Sequence, residues 1–505
     1  MCGYHLPSGR KIMGCFAGLP EFTTLTLDPG PIVYLNIMGR PVIVLNTLKA
    51  ASDLLDKRPA IYSDRPQNIV ASQILTGSLF MPFIRPGLIW RKMHQATRDC
   101  LAKTACHKFH PYQEKEAILL VESLLNDSHR WEKHLQRSTS SMIVSFLYDI
   151  PRLSSVEDVS ISRINSFVER IVRAAKPGAH LVELLPWMQY LPLWAAPWKK
   201  HGLKSYQEDS EMFKKLFSVA KQRAVEGKSS SSFAAFLVLF EEKYALDEEE
   251  SAWLLATMYA AGAETTSSVL FWFFLAMILH PDVQSRAQAE IDDVVVPLSK
   301  RFCVGFRWIL SASSFLSPLF LLTNSCTLLP VGLPHMSSQD DYYEGYFIPK
   351  GSICIANVWA IHRDRAVYGD DAERFDPMRH LDSTGRPVPP VQRTKGENHV
   401  TFGFGTRVCP GRHVANNTLF INIASVLWGL EIRPATDKNG SPMIPDPNDM
   451  VITGLTMQVN LDLFTSTTDS ETISSRPAPF LIDVTARSQD MLTILEDTKE
   501  LHAGI

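Results

Sequence analysis

Residues Phe402–Gly411 read FGFGTRVCPG, and the fold of this 505-residue chain is decided there. Three glycines, Gly403, Gly405 and Gly411, within nine residues predict a tight, irregular backbone. The stretch that follows, RHVANNTLFINIASVLWGL, carries apolar residues at Val414, Leu419, Ile421, Ile423 and Leu427, a helical spacing. Pro410 suits the first turn of that helix, where a missing N–H costs nothing. Cys409 therefore falls where a helix begins, and the partial positive charge there favours thiolate over thiol. Arg407, two residues upstream, adds a fixed cation. A lone cysteine before a helix is most often a buried structural residue. A thiolate on a glycine-padded loop beside a cation instead suits a bulky, anionic, iron-bearing group.

A second stretch carries chemistry. From about Glu248 to Leu279 the chain is apolar nearly all round, which predicts a helix buried through the core and stopped at His280-Pro281. Ala261-Gly262-Ala263-Glu264-Thr265-Thr266 interrupts it with an acid and two hydroxyls. A buried carboxylate without a partner is costly, so its presence asks for a function. The bland reading makes Thr265 a back-bonding helix residue and Glu264 a neutral core acid.

Together the two stretches resemble the signatures of the cytochrome P-450 family, F-x-x-G-x-R-x-C-x-G and (A/G)-G-x-(D/E)-T-(T/S), with every fixed position present. On them the chain is identified as a member, similar to fungal microsomal members of the O-methylsterigmatocystin oxidoreductase-like group. The resemblance implies one large, mainly α domain with a small β lobe over 30–490, the cytochrome P-450 fold. It implies heme b with an axial thiolate from Cys409, the ligand that favours O–O cleavage, seated in a loop with Phe402, Arg407 and Gly411. Gly262 would let the core helix bend away from the heme, Thr265 would hold oxygen and water, and Glu264 would relay protons. Trp90-Arg91-Lys92-Met93-His94 is similar to the helix whose Trp, with a cation four residues on, binds the heme propionates; that cation is commonly Arg and is His94 here. His335 and His362 fall where members place further propionate contacts. The implied reaction is monooxygenation of an apolar substrate with O2, fed by an NADPH-cytochrome reductase at the cytosolic face of the endoplasmic reticulum membrane. Tyr62-Ser63-Asp64-Arg65-Pro66 and the stretch from Leu333 to Gly351 resemble fungal members acting on secondary metabolites or aromatic compounds.

Composition agrees with a globular enzyme: 45% hydrophobic, 20% charged, and a net charge of −3 that gives no sign of nucleic-acid binding. Eight cysteines with no C-x-x-C pair argue against a disulfide scaffold or a structural zinc site. The first 29 residues hold no apolar run near the ~20 residues of a membrane span. Leu6–Lys11 resembles the proline hinge that follows the anchor of microsomal members, so the anchor itself is expected to be missing. Pro177–Pro197, rich in Pro, Trp and Leu, reads as an irregular apolar segment, corresponding to the roof of the substrate channel where members touch the membrane, or else as a buried loop. Residues 112–150 and 156–176 read as helices. Gly30–Asn36 and Arg40–Leu45 read as paired strands, and Asp341–Gly351 as a hairpin.

The pattern fails in one place. Family members carry a helix with E-x-x-R, yet no Glu occurs between Glu290 and Glu344, and no Glu in the chain has Arg three residues later. In its place stands 297–328, apolar, serine-rich and without helical periodicity, which reads as an insertion of retained-intron character. Thr456–Thr472 is a second candidate of that kind, or a loop, and 491–505 is a tail. Arg379, within Phe375–Arg379, would lack the partners of that missing helix. Two rivals to monooxygenation follow: a heme-thiolate isomerase or dehydratase of the same fold, and a non-catalytic product unable to hold heme.

Overall fold

The computed structural model describes residues 30–37, 39–150, 153, 159–176, 178–228, 231–295, 331–447, 450–452, 475–489, 492–493 and 495. The 1–29 segment, the 297–328 insertion, the 456–472 stretch and nearly all of the 491–505 tail lie outside them.

The axis of the molecule is the helix Glu248–Leu279. Asp247 starts it through a reciprocal cap: its carboxylate accepts the Glu250 N–H at 2.7 Å, and the Glu250 carboxylate accepts the Asp247 N–H at 3.1 Å. Acids at Glu248, Glu249 and Glu250 complement the positive end of the helix. It ends before His280-Pro281, where proline excludes helical geometry for the residue ahead of it. Among the described residues it is the one helix long and apolar enough to cross a membrane, and it is buried in the core. Around it pack the helices Trp131–Tyr148, Pro197–Val225 and Arg412–Gly429. Trp253 shows how the core closes: fully buried, it meets Phe167 and Phe213 edge-on and donates Nε1–H to Ser210 Oγ at 3.0 Å. Truncating such a side chain typically costs about 3–5 kcal/mol.

The expected helix over 112–150 is two helices, His110–Asn126 and Trp131–Tyr148. Asp127 breaks the run by taking φ −155°, and its carboxylate turns back to Arg130 Nε at 2.5 Å. The next helix is Val159–Ala175, and Pro281–Val295 follows the core helix.

The β lobe is a four-stranded sheet in the order Ile32–Ile37, Arg40–Leu45, Ile353–Ala356, His335–Met336, antiparallel, parallel, then antiparallel. Asp341–Tyr343 and Tyr346–Ile348 form the expected hairpin, turning at Glu344 (φ 48°) and Gly345 (φ 85°), the paired positive φ of a type I′ turn. Leu430–Pro434 pairs with Ile482–Ala486, and Met450–Ile452 with Ser475–Pro477.

The apolar segment after Gly178 is irregular, with short turns at Leu181–Leu184 and Pro186–Tyr190. It is not a buried loop: Trp187, Tyr190 and Trp194 are 60%, 81% and 86% exposed.

Candidate functional site

The cysteine loop is built by backbone contacts. Gly403 and Gly405 take positive φ (77° and 59°), and the Cys409 N–H donates to the Phe402 carbonyl at 2.8 Å. The close approach expected of a glycine here is to the protein itself: a Cβ on Gly405 would stand 2.3 Å from the Leu55 carbonyl oxygen. The Gly405 N–H also donates to Asp56 Oδ1 at 2.6 Å, and Asp56 is paired with Lys395 at 2.7 Å. A Cβ on Gly411 would touch the Cys409 sulfur, at 4.0 Å. Helix Arg412–Gly429 begins with Gly411 as its cap, so Pro410 lies in the turn ahead of the helix and not in its first turn. Burial pushes the Cys409 thiol up; the N–H groups of Gly411 and Arg412 and the Arg412 charge pull it down without overcoming that. The helix start therefore opposes burial, and does not by itself deliver a thiolate.

Beside the loop lies a group of basic and aromatic side chains. The Arg407 guanidinium sits 4.3 Å from the centre of the Trp90 ring, donating Nε–H to the Ser63 carbonyl at 2.9 Å and Nη2–H to the Ile84 carbonyl at 2.8 Å. Trp90 and His94 share one face of helix Leu88–Cys100 and stack at 4.7 Å with 16° between planes. Lys92 points elsewhere, to the Ala245 carbonyl at 2.5 Å, which leaves His94 as the basic side chain beside Trp90; burial, then the charges of Arg98 and Arg407, disfavours its charged form. His335 shares a hydrogen bond with the Tyr62 carbonyl through Nδ1 at 2.7 Å, and burial, with Arg65 next, holds it down to about 3. Arg65 is a member the sequence reading passed over. It is fully enclosed, donating to the Pro82, Leu333 and Pro334 carbonyls at 3.1, 2.9 and 2.6 Å. Burial, then the charge of Arg407, lowers it to about 9; burial lowers Arg407 to about 10. The signal lay in Tyr62–Pro66: three of its backbone or side-chain groups brace this cluster.

On the core helix, the buried run from Ser251 to Ile278 is broken at Met258, Ala261, Gly262, Glu264 and Thr265 alone. Met258, Ala261, Gly262 and Thr265 have the i, i+3, i+4, i+7 spacing of one face. The helix is continuous through Gly262, whose small size admits Ile143: a Cβ there would stand 2.7 Å from Ile143 Cδ1. The Thr265 hydroxyl donates to the Ala261 carbonyl at 2.6 Å, so as it stands it offers an acceptor oxygen and not a free donor. Glu264 is half-buried beside it.

The cytochrome P-450 family model matches residues 17–305 and 326–461. The chain belongs to the cytochrome P-450 family. Two cytochrome P-450 monooxygenases of Armillaria gallica are each 44% identical over 98% of this chain and 93% of their own length. One from Postia placenta is 39% identical over 97% of this chain and 90% of its own. A zebra fish cytochrome P-450 solved with progesterone superposes with a TM-score of 0.71 at 19% identity, covering 92% of this chain and 98% of that one.

The group a cytochrome P-450 implies, a heme, fits the residues present. Two buried guanidiniums lie within Coulomb range of each other, and neither hydrogen-bonds a carboxylate among the described residues. The Asp64 carboxylate raises both, yet burial still lowers them, and enclosed like charges of this kind favour a further anion. Arg407, Trp90, His94 and His335 gather at one place, with Cys409 two residues along the chain from Arg407; His362 makes its hydrogen bond elsewhere. It accepts the Val400 N–H through Nε2 at 3.0 Å, tying it to the backbone ahead of the loop. Phe402 meets the buried His399 ring at 5.2 Å, a neighbour that no motif announced.

Proposed function

We propose that this cytochrome P-450 is a monooxygenase that inserts one atom of O2 into a small apolar substrate. The observation that carries the reading is the enclosed pairing of Arg407 and Arg65 next to the Cys409 loop, neither of them hydrogen-bonded to a carboxylate. Cys409 would hold the heme iron, and Arg407, Arg65, Trp90, His94 and His335 its carboxylates. The heme supplies the reductive activation of dioxygen when bound. Around it, Met258 and Ala261 present an apolar surface to the substrate, and the buried core excludes water. Glu264 is placed to pass a proton along the helix. Thr265 accepts a hydrogen bond from an entering water through its hydroxyl oxygen while its own proton stays on Ala261.

No nucleotide-binding fingerprint is visible in the sequence, so electrons come from a separate NADPH-cytochrome reductase. Exposed Trp187, Tyr190 and Trp194, with Lys199, Lys200 and Lys204 close behind, suit the surface of the endoplasmic reticulum membrane. The likeness to fungal monooxygenases favours secondary metabolites as substrates.

The absence of E-x-x-R favours one second reading, a chain that folds without retaining heme. Reduced, CO-bound difference spectra of the full chain, beside Cys409→Ser, separate the two. A red-shifted Soret band that vanishes in the serine variant is expected. A chain with no such band in either protein would be the non-catalytic product.

A further inference from the structure

The segment Val358–Tyr368 reaches the cysteine loop by a series of short contacts that the missing E-x-x-R helix takes no part in. His362 closes the short helix Val358–His362 and is buried; its Nε2 accepts the Val400 N–H at 3.0 Å. An imidazole that accepts through Nε2 carries its hydrogen on Nδ1. The Tyr368 hydroxyl donates to the Asn398 carbonyl at 3.0 Å. Asn398 holds φ at 59°, and its Oδ1 accepts the Val391 N–H at 2.7 Å. Between the two anchored residues, the buried His399 lies edge-on to His362 (6.3 Å, 87°) and against Phe402 (5.2 Å). The Phe402 carbonyl then receives the Cys409 N–H at 2.8 Å.

We infer that His362 and Tyr368 are positioning residues for Cys409, fixing the 398–402 backbone from which the cysteine N–H hangs. The inference rests on the reading of Cys409 as the iron ligand. His362 and Tyr368 each spend a polar group on the backbone of the same three residues, 398–400, and both bonds are made before the loop turns. Losing either bond frees a segment whose far end is the cysteine. Glutamine can present an acceptor oxygen where Nε2 stands, whereas phenylalanine keeps bulk without it.

The test compares Tyr368→Phe, His362→Phe and His362→Gln in the full chain. Hydrogen exchange by mass spectrometry on heme-free protein should show the 399–409 peptide exchanging about 3- to 10-fold faster in both phenylalanine variants, the span expected for one hydrogen bond. The 268–279 peptide of the core helix should not change, and His362→Gln should restore most of the protection. After hemin is added, the fraction of CO-bound protein with the thiolate-type band should fall by a similar factor. Unchanged exchange at 399–409, or equal loosening of 268–279, overturns the positioning role. If the exchange pattern holds and the unmutated chain shows no thiolate-type band, what fails is the assignment of Cys409 to the iron.

Discussion

The Arg379 Nη2–H donates to the Asp371 carbonyl at 2.7 Å and lies 3.3 Å from the carboxylate of the same residue. It also reaches the Arg374 carbonyl at 3.1 Å, while its buried Nε has no partner among the described residues. The guanidinium expected to stand alone is thus partnered within its own loop. Arg379→Ala should lower unfolding stability by about 1 kcal/mol, since it removes two side-chain hydrogen bonds to carbonyls of its own loop. Asp371→Asn should cost less than about 1 kcal/mol, because that carboxylate is 56% exposed. Urea titrations of the two variants rank them, and a larger loss in Asp371→Asn would contradict the geometry.

Two glycines should respond differently to a methyl group. Gly405→Ala places Cβ on a backbone oxygen, at positive φ, and should cost about 3 kcal/mol or more. Gly262→Ala meets the Ile143 side chain, Cγ1 at 3.3 Å and, closest, Cδ1 at 2.7 Å, and should cost about 1 kcal/mol. Adding Ile143→Val removes that atom, so the double variant should recover stability in thermal melts.

Acid should loosen the protein before its carboxylates are protonated. Burial holds His335 and His399 down to about 3, with Arg65 the next cause for the first and His362 for the second. Unfolded histidine titrates near ~6.5. The unfolded chain therefore binds the extra protons, and stability present above that pH is lost as pH falls toward 3. The limiting slope is about 1.4 kcal/mol per pH unit for each histidine. Denaturant unfolding at pH 7, 6 and 5 should show the fall, and His399→Gln should flatten it by one histidine's share; equal slopes would refute the buried neutral state of His399.

Glu183 caps the turn Ile69–Ile74 from a distant part of the chain: its two carboxylate oxygens accept the Ile69 and Val70 N–H groups at 2.9 and 2.8 Å. Glu183→Ala should destabilise that turn by about 1 kcal/mol. Amide exchange confined to 69–74, with the core helix unchanged, is the expected result; a global loss would assign Glu183 a wider role.

Much of this was legible in the sequence. The bounds Glu248–Leu279 follow from an acidic start, an unbroken apolar run and a proline stop, all local signals. Arg407, Trp90, His94 and His335, named from separate motifs, lie together, with Arg407 two residues ahead of Cys409. What escaped reading depends on contacts between remote segments. Arg65 gains its place only when carbonyls of 82, 333 and 334 surround it. His362 lies in a motif that suggested propionate, and its bond to the Val400 N–H is one that no motif announces. The break at Asp127 was hidden because apolar spacing continues across it, and a single φ interrupts the helix.

The open stripe on the core helix divides the molecule's freedom to change. Most positions along that helix are locked by neighbours, and Gly262 is pinned by Ile143. Ala261 is exposed on that stripe, and Met258 is partly buried against the core. On the proposed function, a lineage carrying this scaffold can thus retune what it admits by drift at Ala261, leaving its melting behaviour nearly untouched. Diversity of guests comes cheaply to such a host, while the seat of the cysteine allows almost none.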